Sequence, residues 1–266
     1  MLPHIRMRRT IITQSFSLLA IGAAGAGIAD SQALDEILAD PTPYNPGTPP
    51  RMVSKLLNAA ERRRVSDLTR LVLAATEEAC PAPPTDMQAV FVTNSGDGVT
   101  THAICEALAA PVPDVSPTRF TNSVHNAAAA YWSIGLHRPA ATTSLGAGPH
   151  GLSAGLVEAV LTMKENATPI LLVAYDAPYP FPLAERVLVR QPLAIAFYLE
   201  PGYSGPRWQL GLSAEPGESL PQALAMHFNG HSCAPGMIWL SARKTPRRVV
   251  LPYLDGLSVV LEPLNA

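Results

Sequence analysis

The chain has 266 residues, enough to bury a full core within one domain, and its net charge of −2 gives no basic excess for holding a nucleic-acid backbone. Apolar residues make up 47% and charged residues only 15%, too little polar surface to cover a monomer comfortably, so an apolar partner face is expected. Cys80, Cys105 and Cys233 are odd in number and lack CxxC spacing, which suggests neither a disulfide framework nor a zinc cluster and points to a reducing, cytoplasmic setting.

The N-terminus carries two signals. His4, Arg6, Arg8 and Arg9 precede an apolar run from Phe16 to Ala29, and the segment Ala29-Asp30-Ser31-Gln32-Ala33 after it has the outline of a secretory cleavage region. Against this, Thr10 to Phe16 alternates β-branched residues as an opening strand would, and the Gly/Ala run behind it suits a tight strand-to-helix connection. No other segment approaches the ~18 apolar residues of a membrane span. Proline, 27 residues in all, is dense between 40 and 51, where a stiff loop is expected.

Leucine and valine at helical spacing from Leu56 to Ala79 predict a helix, broken near Val65 with Ser66 and Asp67 as a local cap. Gln88 to Thr93 reads as a strand, Asn94 to Gly98 as a loop, and the following VTTHAICEALA as a helix. Thr121 to Gly135 is alanine-dense and predicts a core or interface helix. Strand Ala141–Ser144, helix His150–Lys164, strand Ile170–Tyr175 and strand Leu193–Leu199 complete an alternating pattern. Apolar strands separated by helices indicate a mainly parallel sheet covered on both faces. Beyond Pro201 the pattern weakens to a strand at Trp208–Leu212, a helix near Leu220–Phe228 and a last strand at Ser258–Leu261.

Several short motifs compete for a chemical reading. Gly151 to Gly155 spell GxSxG, and Ser153, Asp176 and then His227 or His231 follow the chain order of a serine hydrolase. Ala147, Gly148, Pro149 and His150 before it cannot form the buried strand that such a nucleophile needs, so Ser153 is expected inside a helix, and a serine esterase is the alternative function. His227, His231 and Cys233 have metal-like spacing, but no glutamate follows His227 as in HExxH, and a surface histidine pair is the plainer reading. Gly22, Gly25 and Gly27 give GxxGxG rather than a dinucleotide fingerprint.

A second register starts from the strand ending at Ser144, whose turn residue is Leu145. Ser116 to Gly155, with SPTRFTNSVHNAAAAYWSIGL followed by TTSLGAGPHGLSAGLVEAVL, resembles a β-ketoacyl synthase. ILLVAYDAPYPFPL and AIAFYLEP continue the likeness to about residue 200, and LLNAAERRRVSDLTRLVLAA resembles the early arginine-rich helix of small synthase-like proteins. The resemblance implies a three-layer α/β/α fold, half of the thiolase-like fold with a mixed five-stranded sheet, over residues 10–200, with 201–266 as an extension packed on the same domain.

Leu145 then stands where the family keeps its nucleophilic cysteine, and a side chain without a lone pair forms no acyl-enzyme. The two decarboxylating histidines of the family's second half have no counterpart. The resemblance implies a non-catalytic chain length factor of aryl polyene or related type II polyketide and fatty acid systems, pairing with a catalytic ketosynthase and meeting acyl carrier protein through the complex. No cofactor and no metal is implied. Phe120, His125, Tyr131, Trp132, Ser144 and Leu145 are the candidates for the acyl-tunnel wall and subunit interface, with Gly148 and Gly151 expected as packing glycines.

Overall fold

The computed structural model describes residues 14–49, 52–94, 96–202 and 205–264. Its backbone is one eight-stranded sheet. The first strand, β1 (Gln14–Gly25), is followed by α1 (Ser31–Ala39), α2 (Ala59–Arg62), α3 (Asp67–Ala79) and β2 (Gln88–Val92). Next come α4 (Gly98–Ala109), α5 (Pro117–Asn122), α6 (Ala127–Gly135), β3 (Thr142–Leu145) and α7 (Gly151–Asn166). The chain continues through β4 (Ile170–Asp176), β5 (Leu193–Glu200), β6 (Arg207–Ser213), α8 (Gln222–Phe228), α9 (Ala234–Ser241), β7 (Val249–Leu254) and β8 (Leu257–Leu264).

The strand order is β3-β2-β4-β5-β1-β6-β8-β7. β2, β3 and β4 run parallel, β5 is antiparallel to both β4 and β1, and the remaining neighbours are antiparallel. The expected mixed sheet of five strands is therefore present as β1 to β5. Two corrections apply: β6, β8 and β7 extend the sheet to eight, and five of its seven strand pairings are antiparallel, so it is not mainly parallel as the alternating pattern predicts. β1 makes the join: Gln14 to Ser17 pair with β6, and Ser17 to Gly25 pair with β5.

Side-chain alternation assigns the two faces. Val90 and Val92, Leu172 and Ala174, and Ile195 and Phe197 face the core under α7 and α9, whereas Ala89 and Phe91, Leu171 and Val173, and Ala194 and Ala196 face α3 and α6. Helices on both faces make the three layers. α2 and α3 are separated at Val65 as the spacing predicts, with the Ser66 hydroxyl accepting from Thr69 N–H at 3.2 Å to cap α3.

The Gly/Ala run is not a strand-to-helix connection. It is the second half of β1, and it is small because α3 lies directly on it: a Cβ on Gly22 would stand 2.1 Å from the Ala75 carbonyl oxygen. The apolar run read as a possible signal segment is thus largely a strand inside the sheet, while Thr10 to Thr13 lie outside the described residues. The alanine-dense stretch is two helices, α5 and α6, with a turn through Ser123 to Asn126.

The C-terminal strands are fastened by aromatic rings. Trp239 on α9 stacks on Phe197 of β5 with centroids 5.1 Å apart, and meets Phe16 of β1 and Trp208 of β6 edge-on, each at 5.8 Å. One indole therefore touches strands from both parts of the sheet. No described helix is long and apolar enough to cross a membrane.

Candidate functional site

Because β2, β3 and β4 are parallel, Thr93, Leu145 and Asp176 come together at their C-terminal ends, where open α/β sheets place their sites. Leu145 is the last residue of β3, and its carbonyl accepts from Thr93 N–H at 3.1 Å. The chain then bends through Gly146, Ala147 and Gly148 into a short 3-10 turn ending at His150, and α7 begins at Gly151. Leu145 thus occupies a strand-to-helix turn, with its side chain half-buried against the core beneath α7.

The two neighbouring glycines serve different ends. A Cβ on Gly151 would lie 2.7 Å from Val92 Cγ1, so Gly151 is a packing glycine as expected. Gly148 is not: nothing lies near its missing Cβ, but its φ of +62° falls in the left-handed region that an ordinary side chain resists. Its role is to turn the chain.

Asp176, buried at the end of β4, ties this rim together. Its carboxylate accepts from Thr93 Oγ1 at 2.8 Å, Asn94 N–H at 2.6 Å and Ser232 N–H at 2.8 Å. His231 Nδ1 lies 3.7 Å from Asp176 Oδ2, too far for a hydrogen bond, and instead accepts from Cys233 N–H at 3.0 Å. The imidazole proton therefore sits on Nε2, and burial lowers the His231 pKa, leaving it neutral. Cys233 donates its thiol to the Ala174 carbonyl at 3.1 Å, and burial pushes its pKa well up, which disfavours a thiolate. The cluster holds loops in place and offers no nucleophile.

Ser153 is fully buried in the first turn of α7, with its hydroxyl donating to the Pro252 carbonyl at 2.7 Å. Among the described residues its oxygen has no histidine partner, and it has no solvent access, so the geometry opposes the hydrolase reading. His227 lies on α8, edge-on to Tyr44 at 5.0 Å, while His231 and Cys233 are in the buried cluster. Among the described residues no three His, Cys, Asp or Glu side chains gather closely enough to hold a metal ion.

The candidates drawn from the resemblance divide in two. His125 sits beside the Leu145 turn, its Nε2 only 3.4 Å from where a Cβ on Gly146 would be. Phe120 is 66% exposed, and Ser144 is half-buried on the strand at the sheet edge. Tyr131 and Trp132 are buried beneath α6, with Trp132 meeting Phe91 edge-on at 5.9 Å.

Sequence reasoning expected an apolar partner face and named Phe120, but did not place the exposed apolar residues around α4. Val99 and Leu108 on α4, Val112 after it, Val124 and Ile134 are all exposed. The signal was present in the charge pattern, because from residue 98 to 135 only Glu106, Asp114 and Arg119 are charged. Next to this apolar face β3 ends the sheet. Ala141 and Leu145 give their carbonyls to β2, so by strand alternation the main-chain groups of Thr142 and Ser144 face the open side.

The model of the β-ketoacyl synthase N-terminal domain matches residues 39–238. The chain belongs to that family. A comparison with curated proteins finds no match. Among solved structures, this synthase-family chain is similar to one of the ketosynthase ApeO in complex with its chain length factor ApeC from Xenorhabdus doucetiae. That likeness has a TM-score of 0.73 at 18% identity and covers 93% of this chain and 99% of the other. The ishigamide ketosynthase/chain length factor is similar with a TM-score of 0.68 at 12% identity, over 94% and 100% of the two chains. The AntDE:AntF complex, a type II polyketide synthase acyl-carrier protein with its ketosynthase bound to the hexaketide, gives 0.73 at 13% identity, over 96% and 100%. At these identities the likeness is one of fold.

Proposed function

We propose that this chain is a non-catalytic β-ketoacyl synthase-like subunit, a chain length factor, which pairs with a catalytic ketosynthase and shapes the tunnel holding the growing acyl chain. The observation that carries the reading is Leu145 at the β3-to-α7 turn. A ketosynthase needs a thiolate there, favoured by the helix N-terminus, and an aliphatic side chain supplies none. What this residue can supply is an apolar wall.

The open β3 edge and the weakly charged face from α4 to Ile134 support pairing, since an unpaired edge strand invites a partner and a large apolar patch needs cover. Phe120, His125, Ser144 and Leu145 are the residues we assign to the interface and tunnel wall, and Tyr131 and Trp132 set the depth at which α6 rests. We take residues 10–200 as the synthase-like unit and 201–266 as an extension packed on the same domain, and the continuity of the sheet from β1 into β6 supports the single domain. Substrates would arrive on acyl carrier protein through the complex, in the polyketide or aryl polyene chemistry of the similar structures. The free thiols of Cys80, Cys105 and Cys233 favour a cytoplasmic setting.

Co-expression with a catalytic ketosynthase from the same genome tests the reading. A stable heterodimer is expected, with product length altered when Phe120 or His125 is replaced. Separate elution with unchanged product length would overturn it. Incubation with acyl carrier substrates is expected to leave the intact mass of this chain unaltered, and a stable acyl adduct would contradict the assignment.

A further inference from the structure

A second site lies on the arginine-rich segment, which the synthase reading does not use. Arg62, Arg63 and Arg70 line one cavity of about 340 Å³, together with Ser54 and the apolar side chains of Met52 and Val65. Arg62 Nη1 donates to the Ser54 carbonyl at 3.3 Å, and Arg63 Nε donates to the Ala59 carbonyl at 3.1 Å. Arg70 Nη2 donates to the Arg62 carbonyl at 2.8 Å. These bonds fix the guanidinium groups without neutralising them. Of the three, only Arg70 has a carboxylate partner among the described residues, Asp67 at 2.7 Å, while Glu77 behind Ser54 is taken up by the Ser54 hydroxyl and the Lys55 N–H.

Each guanidinium carries five N–H donors, and Arg62 and Arg63 each spend one. Arg62 and Arg63 therefore line one concave site, with most of their donors making no hydrogen bond among the described residues, an arrangement suited to a multiply charged oxyanion. Planar forks match phosphate oxygens in pairs. The rest of the lining is apolar, with Met52, Val53, Ala59 and Val65 offering a surface for carbon rather than further charge.

We propose that this cavity binds a phosphate monoester of a small organic molecule, its phosphate on Arg62, Arg63 and Arg70 and its carbon end against Met52 and Val65. The site stands apart from the Leu145 turn, and the proposal does not depend on the pairing function.

Calorimetric titration of the full chain with inorganic phosphate, with hexyl phosphate and with sodium chloride at matched ionic strength tests it. Hexyl phosphate is expected to bind more tightly than inorganic phosphate, with chloride giving no saturable signal. Arg63→Gln, whose side chain makes a single hydrogen bond within the chain, is expected to weaken hexyl phosphate about tenfold while leaving the urea midpoint unchanged. Adding Arg62→Gln should remove the remaining binding. Equal response to chloride, or full affinity in the Arg63→Gln variant, would overturn the proposal. Co-sedimentation with phosphatidylglycerol vesicles in the absence of hexyl phosphate binding would overturn it too, because it would assign the charge to a membrane surface rather than to a discrete cavity.

Discussion

Helices α4 and α9 both carry little charge, Glu106 alone on the first and none on the second, and they have opposite fates. α9 packs against α1, α7 and β7 and buries Pro235 through Leu240. α4 packs against α5 and buries only Gly98. The same kind of sequence is satisfied within the chain on one flank and left uncovered on the other, so apolar content alone does not say where a helix will rest. The difference lies in what the sheet offers: on one flank β6, β7 and β8 extend it and carry α9 back across the core, while on the other β3 ends it.

This contrast can be broken at its anchored end. Trp239→Ala removes the ring that joins β1, β5 and β6, and should cost about 3–5 kcal/mol in urea unfolding, the range for losing a buried aromatic side chain. A small effect would mean that the extension is held by its strand pairing rather than by the aromatic contact.

The open flank should respond in the opposite way. Phe120→Asp places a charge on the exposed face, so the melting temperature of the free chain should barely move while affinity for the proposed ketosynthase partner falls by about tenfold or more. Thr142→Pro is a milder probe of the same flank. Proline is accepted at the first residue of a strand when its missing N–H faces outward, so folding should survive while pairing weakens by a smaller factor, read by analytical ultracentrifugation of the mixed subunits. Unchanged assembly in both variants would move the interface elsewhere.

The smallest expected effect is on pH. His231 is buried neutral with a lowered pKa, so below the ordinary value of 6.5 the unfolded chain takes up a proton that the folded chain refuses. Stability contributed by this site should therefore be level above about pH 6.5 and decline as pH falls through it. Urea midpoints measured on either side of that value should show the slope, and His231→Asn should flatten it.

The elements that form by local rules were legible in the chain: the break at Val65 between α2 and α3, the strands β2, β4 and β5, and α7 after its glycine-rich turn. Leu145 at that turn was legible too, because a short strand followed by small residues and a helix defines a bend without reference to distant residues. Other features were not. α9 and β7 carry no clear period, since a helix buried all round and a short strand show no alternation that marks them. The small residues of β1 read as a connection because their cause, α3 lying on them, is some 50 positions away.

Local order of apolar, small and capping residues thus determined many of the element types and the place of Leu145 at its turn. Tertiary structure alone decided that the last 60 or so residues continue the same sheet, that Asp176 ties loops instead of serving Ser153, and that α4 stays uncovered. The physical reason is that burial and hydrogen-bond partnership are properties of pairs far apart in the chain, fixed only when the strands meet.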